Sequence, residues 1–201
     1  HTRIAVIAMG RQGGQEIGYG SDADVLYVQR PVQGATEQQA QEQASRVVTE
    51  LMSWSSKPLK PAIPAEVKLK IDSDLRPEGR QGALVRSFDS YAAYYERWVE
   101  VWERQALQRA RPFAGDEQLG QDFMELIEPI RYGRGLDEAE IKEIRKIKAR
   151  VEAERLPRGA DPNRHLKLGR GSLSDVEWLV QFYQLRYAWK HQELRTPSTL
   201  I

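Results

Sequence analysis

The sequence predicts an α+β protein, with a mixed sheet and helices in the front half and an all-helical back half. Three observations carry this. Ile4 to Met9 form one continuous apolar run, as a buried strand does. A connection crowded with Gly10, Gly13, Gly14, Gly18 and Gly20 joins it to a second strand-like run, Ala23 to Val28. From Ser87 onward the apolar residues recur almost entirely at helical spacing.

Within the second run, Val25 and Tyr27 fall on the face opposite Asp22 and Asp24, because strand side chains alternate. Thr36 has the character of an N-cap. Ala40, Ala44, Val47, Val48, Leu51 and Met52 then follow at helical intervals. Serines and prolines between Ser55 and Pro64 read as a loop. Val67, Leu69 and Ile71 alternate with Lys68, Lys70 and Asp72, a half-buried strand with Asp72 on its polar face. Gly79 and Gly82 flank a turn, and Leu84-Val85 open a short pairing strand.

Tyr91, Tyr94, Tyr95, Trp98 and Trp102 then make an aromatic helical stripe whose spacing favours core packing. Glu103, Arg104 and Arg109 follow it and are placed to link the two halves. A further helix is expected from Glu117 to Ile130. Asp137 and Glu140 form a capping box for a helix running to about Leu156. Pro157, Gly159 and Pro162 end it, and Ser174-Asp175-Val176-Glu177 open a last long helix to about Lys190. The halves divide at residues 113–117, giving a catalytic domain over 1–114 and a helical domain over 115–201.

The chain of 201 residues begins at His1, directly before an apolar strand, and is expected to be a piece of a longer protein. Charged residues make up 29% and apolar ones 40%, the balance of a soluble globular domain. A net charge of +1 implies no general attraction to nucleic acid or membrane. With no cysteine, disulfide frameworks and thiolate metal sites are excluded, and a cytoplasmic location is expected. No apolar run approaches the roughly 20 residues of a membrane span. His1, His165 and His191 have no zinc-ligand spacing, and no Gly-Lys-Ser/Thr phosphate loop or Gly-x-Ser-x-Gly elbow is present.

The chemistry points to Gly20-Ser21-Asp22-Ala23-Asp24. Two carboxylates at i and i+2 face one side of a strand, and Asp72 can join them from a neighbouring strand. Such a set suits Mg²⁺, which prefers hard oxygen ligands and shares them with substrate phosphates. The expected reaction class is metal-dependent transfer from a nucleoside triphosphate. Gly20 and Ser21 can cradle phosphates through backbone amides; Arg11, in the same connection, either reaches a phosphate or sits in solvent. Arg76 binds a phosphate, forks a carboxylate or makes a structural ion pair. Residues 142–170 hold ten Lys/Arg against four Asp/Glu. Most of these charges read as the solvated face of a helix carrying Ile141, Ile144, Ile147 and Val151 inward. Lys167 and Arg170 differ, since they lie in a glycine-rich connection that opens a helix, where an anion or an acidic protein surface can bind.

Gly13 to Asp24, Asp74-Leu75-Arg76-Pro77-Glu78-Gly79, Trp102-Glu103-Arg104-Gln105-Ala106-Leu107 and Lys167 to Glu177 together resemble, in the same order, the bacterial glutamine synthetase adenylyltransferases. The resemblance covers essentially the whole chain. It implies a polymerase-beta-like nucleotidyltransferase fold followed by a helical domain. It also implies a bifunctional enzyme with two related catalytic halves, one moving AMP from ATP to a tyrosine of glutamine synthetase and the other removing it by phosphorolysis. Mg²⁺, ATP, glutamine synthetase and the PII signalling protein are the implied cofactor, substrates and regulator. The family's metal ligands carry over to Asp22, Asp24 and Asp72, with Asp74 the competing third ligand. Arg11 stands where the family often has Lys, and Ser172 where it often has Gly; neither departure touches the carboxylates. Ser174 to Glu177 and Leu185-Arg186-Tyr187-Ala188 look closer to the adenylylating half than to the adenylyl-removing half, and a non-catalytic regulatory copy is the third alternative.

Overall fold

The computed structural model describes residues 1–57 and 69–200. Among these, five strands form one mixed sheet, β1 (Thr2–Ala8), β2 (Ala23–Pro31), β3 (Ile71–Asp72), β4 (Val85–Ser87) and β5 (Arg111–Gly115). The order across the sheet is β3-β2-β1-β5, and β4 also pairs with β2. β1 runs antiparallel to β2 and β5, while β3 and β4 run parallel to β2. β3 lies against residues 23–24 and β4 against residues 27–29, so the two share one edge of β2 end to end.

Seven helices complete the described residues. They are α1 (Gly10–Gly13), α2 (Glu37–Ser56), α3 (Phe88–Trp98), α4 (Val101–Leu107), α5 (Glu117–Tyr132), α6 (Glu138–Glu154) and α7 (Leu173–Tyr187). Thr36 caps α2 through the amide of Gln39, as its sequence predicts, and α2 covers one face of the sheet with Ala44 and Val48 on Val25, Tyr27 and Val85. The helical pattern was wider than the buried stripe, since Val47 and Leu51 stay exposed. The other face takes Ile7, Met9, Leu26 and Val28, which pack with Tyr91 and Tyr95 of α3 and with Leu119, Phe123 and Ile127 of α5. Tyr91 and Phe123 meet edge to face at 5.1 Å, a favoured aromatic geometry. This core runs continuously across residue 114, so α5 belongs to the sheet's own packing. A separate cluster of Val101, Ile144 and Leu185, with Trp178 and Phe182 against it, joins α4, α6 and α7.

Four expectations change. Arg111–Gly115 is a strand, not part of a helical run. It carries Pro112 and a half-exposed Phe113, which an edge strand tolerates because only one side needs backbone partners. The aromatic stripe is broken, because Glu100 is extended and caps α4 in a box with Glu103; Trp98 is left 68% exposed. Ser55 and Ser56 belong to α2 rather than to a loop. The strand expected from Val67 is described only from residue 69, with Leu69 outside it and two paired residues, Ile71 and Asp72. Pro58 to Pro64 of the expected loop, with Val67 and Lys68, lie outside the described residues.

The links expected of Arg104 and Arg109 are present. Arg104 is buried and donates to the carbonyls of Ile130 and Arg134 and to Glu140, tying α4 to α5 and α6. No helix among the described residues is long and apolar enough to cross a membrane.

Candidate active site

The first strand delivers the chain to the second one's acidic end. The Met9 amide donates to the Asp24 carbonyl at 2.8 Å, and Gly10 then turns into α1 with φ +50°. A Cβ on Gly10 would lie 2.2 Å from Asp24 Oδ2. Gly10 is therefore the glycine pressed against a carboxylate. Gly20 also has positive φ, +76°, but nothing lies within 4 Å of the place its Cβ would take, and the Ser21 amide is bonded to the Gly18 carbonyl. Gly10→Ala is expected to cost about 1–3 kcal/mol in urea unfolding, since clash and backbone strain add. Gly20→Ala should cost about 1 kcal/mol or less, from strain alone. Equal midpoints for the two variants would show that the approach to Asp24 is not tight.

The carboxylates converge from adjacent strands. In the parallel pairing of β2 and β3, Asp24 stands directly opposite Asp72. Burial pushes the Asp24 carboxyl up to about 6, and the charges of Asp72 and Asp22 add to the effect, while Lys167 and Lys70 oppose it. Asp72 accepts the Asp74 amide on Oδ1 at 2.8 Å. Asp22 is 44% exposed and turned to Lys70 Nζ at 2.8 Å. With Asp22 so engaged, no three His, Cys, Asp or Glu side chains among the described residues are gathered tightly enough to hold a metal ion in this conformation. Asp74 faces away, bonded to Arg80 at 2.6 Å and 3.7 Å from Arg76.

The predicted basic residues divide. Lys167 acts on Asp24 from the helical half; its carbonyl is held by the Ser172 hydroxyl and the Ser174 amide, so the turn before α7 fixes its place. Arg170 lines a hollow beside α6 with Glu152 and Leu156. Arg11 donates to Glu177 of α7 at 2.9 Å rather than standing in solvent. Arg76 is buried and donates to the carbonyls of Ser73, Arg80 and Gly82. Its guanidinium is thus a brace for the loop after β3, and it also lies 3.7 Å from Asp74, the ion pair that was one of its expected roles.

Three residues of the region were not singled out by sequence reasoning. Gly10 is one. Lys70 is the second; its alternation with Leu69 and Ile71 signalled only a solvated face. The third is Glu16, which accepts bonds from Arg109, Ser198 and Thr199 and has its carboxyl held down at about 2 by those donors against the opposing effect of burial. Glu16 falls within the Gly13–Asp24 stretch of the resemblance, but its partners lie far along the chain, so its bonds could not be read locally.

Residues 1–126 match the family model of glutamate-ammonia ligase adenylyltransferase. The chain is similar to the bifunctional glutamine synthetase adenylyltransferase/adenylyl-removing enzymes of Streptomyces avermitilis, 56% identical over 199 residues, and Corynebacterium diphtheriae, 53% over 200. It is 49% identical over 198 residues to the protein of that description in Mycobacterium tuberculosis. These alignments cover 98%, 99% and 98% of the chain but only 19%, 18% and 19% of the relatives, so the chain spans about a fifth of their length.

Proposed function

The chain belongs to the glutamate-ammonia ligase adenylyltransferase family, and from that premise we propose that it is a nucleotidyltransferase unit that moves AMP from ATP to a tyrosine of glutamine synthetase. The observation that carries this reading is the facing pair Asp24 and Asp72, with Asp22 beside them and Gly10 closing on Asp24.

The donor set fits a magnesium ion. All three side chains offer hard oxygen ligands; burial first, and then the charges of Asp72 and Asp22, raise Asp24, and a divalent cation would relieve the repulsive part of that cost. Asp22, Asp24 and Asp72 would hold it, once Asp22 leaves Lys70. A divalent ion held there supplies charge neutralisation of the triphosphate and polarises a phosphoryl oxygen. The protein does the rest. Lys167 and Lys70 offset part of the negative charge at Asp24. Asp72, whose Oδ1 accepts the Asp74 amide, would orient the incoming tyrosine hydroxyl and take its proton. The tyrosine oxygen bonds to the α-phosphorus, the bond from that phosphorus to the bridging oxygen breaks, and pyrophosphate leaves.

Incubation with ATP, Mg²⁺ and glutamine synthetase should add one AMP per target subunit, read by intact mass. Incubation of the modified target with orthophosphate tests the reverse, adenylyl-removing activity. Absence of transfer would overturn the proposal, and phosphorolysis without transfer would assign the adenylyl-removing activity instead. ATP binding should also require the cation, since clustered carboxylates repel a bare triphosphate. Calorimetry giving equal ATP affinity with Mg²⁺ and with chelator would contradict the metal site.

A further inference from the structure

The glycine-rich connection that closes on Asp24 is held by β5 and by two segments far from it in sequence. Gln12 and Gly13 present their carbonyls to Arg111 at 3.2 and 3.1 Å. Glu16 makes the densest contact. Its Oε1 accepts the Ser198 hydroxyl at 2.8 Å and the Thr199 amide, and its Oε2 accepts the Thr199 hydroxyl at 2.9 Å and Arg109 at 3.0 Å. Arg109, 3% exposed, also donates to the Pro197 carbonyl at 2.6 Å and to the Thr199 hydroxyl. The packing is close on the connection's own side too. A Cβ on Gly14 would lie 2.3 Å from the Arg109 guanidinium and 2.8 Å from the Pro197 carbonyl. Gln15, between Gly14 and Glu16, sits at φ +59°, a conformation that a non-glycine residue keeps only where its surroundings enforce it.

We infer that Glu16 is a positioning residue: clamped by Arg109 and the 196–199 segment, it holds the Gly10–Gly18 connection against Asp24 and thereby sets the shape of the nucleotide site. The inference rests on the proposed nucleotidyl transfer for its consequence, not for its geometry. Glu16 touches none of the three carboxylates; it acts through the connection. Charge-assisted bonds in a half-buried setting are strong enough to hold such a segment. Because half of the clamp comes from residues 196–199, a step nearly two hundred residues along the chain contributes to the shape of a site near its start.

The test uses Glu16→Gln, the double variant Ser198→Ala with Thr199→Val, and Thr199→Ser. Hydrogen exchange is read at the amides of Gly13, Gly14 and Glu16, which are bonded to Met9, Gly10 and Arg11 carbonyls, and at the β1 and β2 ladder amides as an internal control. Glu16→Gln and the double variant should exchange at the connection at least about tenfold faster, with the ladder unchanged, because local opening is what the clamp suppresses. Thr199→Ser, which keeps the hydroxyl, should exchange as wild type. The affinity for ATP with Mg²⁺ should fall about three- to tenfold in the first two variants and hold in the third. Unchanged exchange at the connection overturns the inference. Faster exchange at ladder and connection alike also overturns it, since Glu16 would then be a general brace. If wild type binds no ATP, the proposed function fails, and the exchange result still decides the clamp.

Discussion

Asp24→Asn is expected to lower AMP transfer by roughly 10²–10³-fold while leaving the fold intact. Asp24 is the carboxylate that burial raises, and it stands opposite Asp72 across the strands with Asp22 near it. Asparagine keeps the shape and one oxygen but loses the charge that a divalent ion needs. The same change should stabilise the protein in the presence of chelator. Burial and two neighbouring acids disfavour the ionised form in the folded state, so the folded carboxyl titrates at about 6, against an unfolded value near the ordinary one. An acid raised in this way costs the native state stability above its folded pKa. That cost fades as pH falls through 6, because the folded protein takes up the proton first. The stabilisation by Asn should therefore be larger at pH 8 than at pH 5 in thermal melts with chelator. Near-normal transfer by the variant would remove Asp24 from the site. A stabilisation independent of pH would mean that the gain has another origin than charge.

What the sequence made legible follows from the range of each signal. Local chemistry was visible: the Thr36 cap, the Asp137–Glu140 box and the alternation of Val25 and Tyr27 all depend on residues within one turn or one pleat, and all are present. Strand-edge chemistry was half visible. Asp22, Asp24 and Asp72 could be placed on one polar side by period, but that Asp24 faces Asp72 directly is a matter of register between distant strands. β5 was invisible because its residues neither alternate nor favour a strand; its pairing with β1 makes it one. The same holds for the glycines. Gly10 and Gly20 look alike in sequence, and only the fold brings a carboxylate to one and open space to the other. Arg76 carried three readings at once, since a guanidinium suits phosphate, carboxylate and carbonyl alike. Burial among the carbonyls of its own loop makes it a brace.

The acid that ends β3 and the one two residues after it offer the sharpest contrast. Asp72 pairs with Asp24 across the parallel strands, and its charge is one of those that raise Asp24. Asp74, two residues on, is bonded to Arg80 and lies near Arg76, so its charge is already answered by cations and its oxygens point into the loop. Asp72→Ala is accordingly expected to lower kcat about a hundredfold or more while raising the apparent Kd for ATP with Mg²⁺ only a fewfold. Asp22 and Asp24 still hold the nucleotide's cation in that variant, whereas the tyrosine hydroxyl loses the oxygen that orients it and accepts its proton. Asp74→Ala should leave kcat within about threefold, because its pair with the exposed Arg80 is screened by solvent and touches none of the three carboxylates. Its cost should appear as faster exchange in the loop at residues 73–82, which Arg76 continues to brace. Single-turnover assays separate the chemical step from binding and so read the two variants on the same scale. Inactivity of Asp74→Ala with normal turnover by Asp72→Ala would shift the third ligand by one strand period and require β3 to end in a different register from the one that sets Asp72 opposite Asp24.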